Sequence, residues 1–208
     1  MELVIKNKSG KDTAKKVTLK KEIYGIEPND HAIYLDVKHH MANKRQGTHK
    51  TKEKGEITGS TRKLRKQKGS GMARVGSIKS PLFKGGGRIF GPEPRDYSFK
   101  LNKKTKVLAR KSALSYKAKS GNIFVLEDID MKAPKTQEFE AIIENLNMTN
   151  KKTLLVLSEL NNNVYLSSRN LSKSSVITFS ELSTYGILNA DNIVLSASAV
   201  AKIDEQLS

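Results

Sequence analysis

Residues Lys44 to Arg88 carry 14 Lys or Arg against two acids, Glu53 and Glu56, together with nine of the chain's 14 glycines. The apolar residues of this stretch are Ile57, Leu64, Met72, Ala73, Val75, Ile78, Leu82 and Phe83. They follow neither a two-residue nor a 3.6-residue repeat, and they are too few to offset the conformational entropy of ordering the backbone. By itself the stretch should be disordered. It also far exceeds the ~12 to 15 residues of an ordinary connection inside a domain, which leaves a functional extension or an unstructured linker. A Gly/Ser linker needs no charge, whereas this one has a cation at about every third position and glycine where the backbone must come close to something bulky.

The same asymmetry runs through the whole chain of 208 residues, whose formal net charge is +17. Residues 1 to 120 hold 31 basic and 10 acidic side chains, while 121 to 208 hold 7 and 11. Such a balance is that of a polyanion binder. With 37% hydrophobic residues, one core of domain size is possible, but not one that runs through every position. The absence of cysteine rules out disulfides, cysteine-ligated metal and any thiol nucleophile. No apolar run of signal-peptide or membrane-spanning length occurs, so a cytoplasmic chain with no membrane partner is expected.

Around the basic stretch the pattern is that of a folded domain. Met1 to Ile5 and Val17 to Leu19 read as strands, and Asp30 to Met41 as a helix capped by Asp30 with Ile33, Val37 and Met41 on one face. Asn102 can cap a second helix to about Ser120, with Val107, Leu108, Lys111, Leu114 and Ala118 on one face and Gly121 as its stop. Apolar runs then alternate with helical stretches. The runs are Ile123 to Leu126, Leu154 to Leu157, Val176 to Phe179 and Ile193 to Leu195. The helices start near Thr136, Asn162, Ser180 and Ser196, with Phe139, Ile142, Ile143 and Leu146 on one stripe and Val200, Ile203 and Leu207 on another. Continuous short runs are strands covered on both faces, which predicts a single α/β domain: an open, mostly parallel, Rossmann-like sheet with helices on both sides. Residues 44–95 are then a long basic loop inserted in that domain.

Catalytic chemistry finds little footing. Gly71 to Gly76 is followed by Ser77-Ile78 where a phosphate-binding loop needs Lys-Ser/Thr, and Arg74 stands where a third dinucleotide-binding glycine belongs. Gly85-Gly86-Gly87 suits a backbone threading a tight space. Glu127, Asp128 and Asp130 follow a predicted strand, where open sheets place ligands, and could either hold magnesium or cap neighbouring structure. No lysine, histidine or phosphate loop accompanies them, which favours caps. Asp36 and His40 share a helix face but are too few for a metal site. No catalytic residue, metal site or cofactor is therefore assigned.

Nucleic acid is the better match. Arg62, Lys63, Arg65, Lys66 and Lys68 put five cations in seven positions, and Arg74, Lys79, Lys84 and Arg88 continue at spacings that let a chain follow a phosphate backbone. Arginine can stack on bases or grip phosphate with two hydrogen bonds, while lysine acts as a point charge. Phe83, Phe90, Tyr97 and Phe99 are placed to stack on unpaired bases; the last three could equally fasten the base of the loop onto the globular domain. No modular recognition motif is present, so a deep, preformed anionic groove such as large folded RNA is the expected partner. A loop doubling back near Gly69 would have legs of about 25 residues reaching at most ~80 Å.

Several short stretches together resemble the bacterial large-subunit ribosomal protein four family. They are Arg45-Gln46-Gly47-Thr48, Arg65 to Gly71, Gly76 to Pro81, Gly85 to Pro92, Pro94-Arg95-Asp96-Tyr97, Asn102-Lys103-Lys104, Ala133 to Thr136 and Ser168 to Leu171. The resemblance implies a structural, non-enzymatic component of the cytoplasmic ribosome that supports subunit assembly. Its α/β domain would lie on the outer face of the large subunit, with its loop passing through ribosomal RNA to the peptide exit tunnel. It adds Lys44, Arg45, Arg95, Lys103 and Lys104 to the RNA-binding set. It places the tip at about Thr61 to Ala73, with Arg62, Lys63, Leu64 and Arg65 lining the tunnel constriction beside one other ribosomal protein and the passing nascent peptide. Two departures from the family pattern stand out: Leu64-Arg65 stands where Pro-Trp is frequent, and Met72 replaces a usual Arg, removing one expected phosphate contact. The alternative reading is a free RNA-binding regulator of its own transcript.

Overall fold

Six strands form one sheet in the order β2-β1-β3-β6-β4-β5. Their ranges are β1 Glu2–Lys6, β2 Asp12–Thr18, β3 Ile123–Leu126, β4 Thr153–Leu157, β5 Ser174–Thr178 and β6 Asn192–Ser196. In the computed structural model, which describes residues 1–207, β1 pairs antiparallel with β2 and parallel with β3. The pairs β3–β6, β6–β4 and β4–β5 are also parallel. A mixed α/β architecture built on one sheet is therefore what the chain adopts.

The apolar runs owe their lack of polar alternation to two cores. Ile123, Val125, Leu154, Val156, Ile193 and Leu195 point into one cluster, and Leu126, Leu155, Leu157 and Val194 into the other. Successive side chains leave a strand on opposite faces, so a run buried throughout needs cover on both. Helices α4 (Thr136–Asn145) and α5 (Asn162–Ser168) cover one face through Phe139, Ile142, Ile143 and Val164. The opposite face takes α1 (Lys21–Tyr24), α3 (Lys103–Lys119), α6 (Thr184–Asn189) and α7 (Ala197–Leu207), through Ile23, Leu114, Ile187 and Ile203 among others. The expected stripes of α4 and α7 are all buried.

Several local expectations need correction. Helix α2, Asp30–Asn43, is capped by Asn29, whose Oδ1 accepts the Ala32 N–H at 2.9 Å, and not by Asp30. Its buried residue is Ala32, while Met41 is exposed. Asp36 and His40 face α6: Asp36 accepts a hydrogen bond from Thr184 Oγ1 at 2.5 Å, and His40 stacks on Tyr185 with ring centroids 4.7 Å apart. On α3 the buried face consists of Ala109, Ser112, Ala113, Leu114, Ser115 and Ala118, whereas Leu108 is exposed. The serines work there as donors and acceptors. Ser115 Oγ donates to the Ile23 carbonyl at 3.1 Å, and Ser112 Oγ accepts the Asn29 N–H at 3.1 Å. Small residues let α1 and the start of α2 approach closely, and an apolarity pattern is blind to that kind of burial. Asn102 occupies the cap position of α3 but makes no side-chain cap bond. Gly121 ends α3 as expected, at φ +68°, with Gly121 and Asn122 N–H groups donating to the Ala118 and Lys117 carbonyls. Strand β5 stops at Thr178, and Phe179 to Glu181 form a 3-10 turn ahead of α6.

The chain divides into two compact units, Met1–Met41 with the chain from Lys100 onward, and Ala42–Phe99. The sheet and both cores belong to the first. In the second, no helix or strand occurs between residues 44 and 99.

Candidate nucleic-acid interface

Within Ala42–Phe99 the chain runs out and returns, its two legs tied by widely spaced hydrogen bonds. The Arg95, Thr51, Arg88 and Leu64 N–H groups donate to the carbonyls of Gly47 (3.2 Å), Pro92 (3.1 Å), Lys52 (3.0 Å) and Gly76 (2.9 Å). Ser77 Oγ adds a bond to the Ser60 carbonyl at 3.1 Å. The turn lies beyond the Leu64–Gly76 tie, where Gly69 and Gly71 both have positive φ. At Gly87 the legs touch: a Cβ there would lie 2.4 Å from the Lys54 nitrogen, so only glycine allows the crossing. The tight-space reading of the triple glycine fits this approach.

A single aromatic ring holds the base of the two legs. The Tyr97 ring has the Arg45 guanidinium 3.7 Å and the Arg95 guanidinium 4.5 Å from its centroid, and its hydroxyl is 2.6 Å from His49 Nε2. These contacts of Tyr97 join leg to leg within the arm, a role distinct from base stacking and from fastening the loop to the domain. Arg45 and Arg95, each marked as an RNA ligand, are thereby brought together; sequence spacing gave no hint of it, since 50 residues separate them. Phe90 behaves in the opposite way and is fully exposed.

The remaining cations face solvent. Lys44, Arg62, Lys63, Lys66, Lys68, Arg74, Lys84 and Arg88 are exposed, and Arg65 and Lys79 are half-buried. Arg62, Lys63, Leu64, Arg65 and Lys66 line one open concavity of about 560 Å³ with Ser60 and Ile78. Lys63 donates a hydrogen bond to Gln67. Lys103 and Lys104 are exposed in the first turn of α3, in the other unit, where no acid accompanies them.

Residues 42 to 99 hold 15 Lys or Arg and four Asp or Glu. Two of the acids are already engaged. Glu56 pairs with Lys50, whose hydrogen bond holds the Glu56 carboxyl below its ordinary pKa, and Asp96 accepts from Ser98 Oγ at 2.6 Å. Lys50–Glu56 is an ion pair of this unit. The unit still carries a surplus of 11 cations over acids. Like charges on neighbouring legs repel, so a segment without a core holds such density together most readily against a polyanion.

Of the carboxylates after β3, that of Asp128 has a structural contact. Asp128 Oδ1 accepts from Ser198 Oγ at 2.5 Å at the start of α7, and the Glu127 N–H extends the β1 ladder by donating to the Lys6 carbonyl. No cluster of three metal-ligating side chains occurs among the described residues.

Residues 17–206 match the model of the family described as "Ribosomal protein L4/L1 family". The chain belongs to this family. It is 64% identical over 205 residues to the large ribosomal subunit protein uL4 of Parabacteroides distasonis, covering 99% of this chain and 98% of that one. The uL4 proteins of Flavobacterium johnsoniae and Bacteroides fragilis are 60% and 58% identical, each with full coverage of both chains. The L4/L1 family is one of ribosomal proteins, not enzymes, which agrees with Asp128 bonding to the start of α7. No helix among the described residues is long and apolar enough to cross a membrane.

Proposed function

We propose that this protein is a structural component of the large ribosomal subunit in the cytoplasm, binding large-subunit ribosomal RNA through the arm at 44–95 and supporting subunit assembly. The arm is read as an insertion into one Rossmann-like α/β domain. Its tip, with Arg62, Lys63, Leu64 and Arg65, contributes to the wall of the peptide exit tunnel beside a second ribosomal protein, where nascent chains pass.

One observation carries this reading: the cations of the arm, nearly all exposed, outnumber its acids 15 to 3 on a backbone with neither helix nor strand. Neutralising many phosphates releases condensed counterions, and that release supplies the affinity. A segment that lacks a core takes its order from the RNA that encloses it. The family membership and the full-length match to uL4 proteins support the same conclusion.

Sedimentation tests it. The protein should co-migrate with large subunits through a high-salt gradient. Recovery only in free fractions, with salt-labile binding to many RNAs, would overturn the ribosomal reading and favour a regulator of its own transcript.

A further inference from the structure

The most unusual side chain in the molecule is Phe90. Its ring is as exposed as in a free peptide, at 103%, and its backbone has φ +53°. Bulky residues rarely adopt that left-handed conformation, and it persists only where the surroundings impose it. Here the surroundings are visible. The Arg88–Lys52 and Thr51–Pro92 hydrogen bonds bracket the residue, so that five residues of the returning leg oppose two of the outgoing one. The surplus is thrown outward. Gly91 is pressed against Thr51, with no room for a Cβ, which leaves Phe90 to occupy the crest.

The ring stands between two clefts. One, of about 750 Å³, is walled by Phe90, Pro92, Arg95, Tyr97 and His49; the other, of about 350 Å³, by Phe90, Lys54 and Arg88. Both have room for a nucleobase beside the ring. Glu93 borders both and Glu53 the smaller, so the rims repel phosphate locally while cations stand on either side. What fits is a base turned in toward the ring with its phosphates held outward by Lys54, Arg88 or Arg95. Charged side chains stand among the apolar ones in both clefts, Arg95 and Glu93 in the larger and Lys54, Arg88, Glu53 and Glu93 in the smaller.

We propose that Phe90 is a stacking platform for an unpaired RNA base. This rests on the reading that the arm binds RNA and adds a contact that depends on the ring and not on charge. The chain has no tryptophan, so Phe90→Trp places a single reporter at the crest. Titrating the full-length variant with an in vitro transcript of the large-subunit RNA should strongly quench its emission. In the same assay, Phe90→Ala should weaken binding roughly 5- to 150-fold, the range for loss of one base–aromatic stack. Its dependence on salt should keep the parent's slope, because no cation is removed. Parent-like affinity of Phe90→Ala together with unquenched Phe90→Trp would overturn the platform and leave the RNA reading standing. Emission that changes only in assembled subunits, as a blue shift without quenching, would place the ring in a protein pocket and also overturn it. Failure of the parent protein to bind the transcript at any salt concentration would overturn both.

Discussion

The guanidinium of Arg45 lies 3.7 Å from the centre of the Tyr97 ring, joining two residues that stand at opposite ends of the cationic arm. Arg95 approaches the same ring at 4.5 Å and His49 bonds to its hydroxyl. A tyrosine so used closes the neck of the arm without any hydrophobic core. The cations that would otherwise repel one another there are held by the negative face of a π system.

Tyr97→Ala should therefore open the neck while leaving the sheet intact. Each cation–π contact at an exposed site is worth about 0.5–1 kcal/mol, so the Gly47–Arg95 tie should loosen by about 1–2 kcal/mol. Hydrogen exchange on the free protein checks this against a background in which amides 121–207 are protected and those of the arm beyond the Tyr97 neck exchange quickly. Faster exchange of the Arg95 amide with an unchanged Tm is expected. Tyr97→Phe should fall between parent and alanine, since the ring stays and only the His49 bond is lost. Equal exchange in all three chains would contradict the role.

Asp128 bonds to Ser198 across 70 residues of sequence, at the N-terminal turn of α7. Asp128→Ala should cost about 0.5–2 kcal/mol, the usual worth of a capping side chain. For a chain of this size each kcal/mol lowers Tm by roughly 2–4 °C. Asp128→Asn keeps an acceptor and should lose less. Magnesium should leave the thermal denaturation curve of the parent unchanged; a magnesium-dependent rise that disappears in Asp128→Ala would restore the metal-site reading.

Asp204 is buried in α7, and desolvation raises its carboxyl pKa above the ordinary 3.8, with the Lys20 charge opposing the shift. The folded chain thus holds this proton more tightly than the unfolded chain does. That contribution to stability is fully present below the unfolded pKa and is lost as pH rises through the folded value. Asp204→Asn cannot ionise, so its Tm should gain on the parent's as pH rises from about 3.5 and level off above the folded pKa. Thermal denaturation across that range decides the matter; a difference that is constant or shrinks with rising pH would show that burial does not control this group.

How much was legible beforehand differs between elements. The stripe of α4, Phe139, Ile142, Ile143 and Leu146, was evident because large apolar residues at helical spacing have one economical fate. The buried face of α3 was not, because Ser112 and Ser115 are there to bond the Asn29 and Ile23 backbones, and small polar residues signal neither core nor surface. The α2 cap falls at Asn29, one residue before the Asp30 that the sequence suggests, because both are good acceptors and only the backbone path chooses between them. The cations of the arm stand out residue by residue in the sequence, whereas the contacts of Tyr97 appear only in the fold.

Composition and local periodicity alone determined that the chain has an α/β core, that a long cationic segment interrupts it, and that the segment has no core of its own. Those are consequences of which side chains water rejects and which it keeps, and they need no knowledge of distant neighbours. The tertiary structure alone decided which helices cover which face, that Asp128 meets Ser198, that Arg45 and Arg95 share one ring, and that Phe90 is thrust outward between two ties. Each of these pairs groups far apart along the chain, and contacts across such separations are selected by the folded backbone geometry rather than by any local pattern of residues.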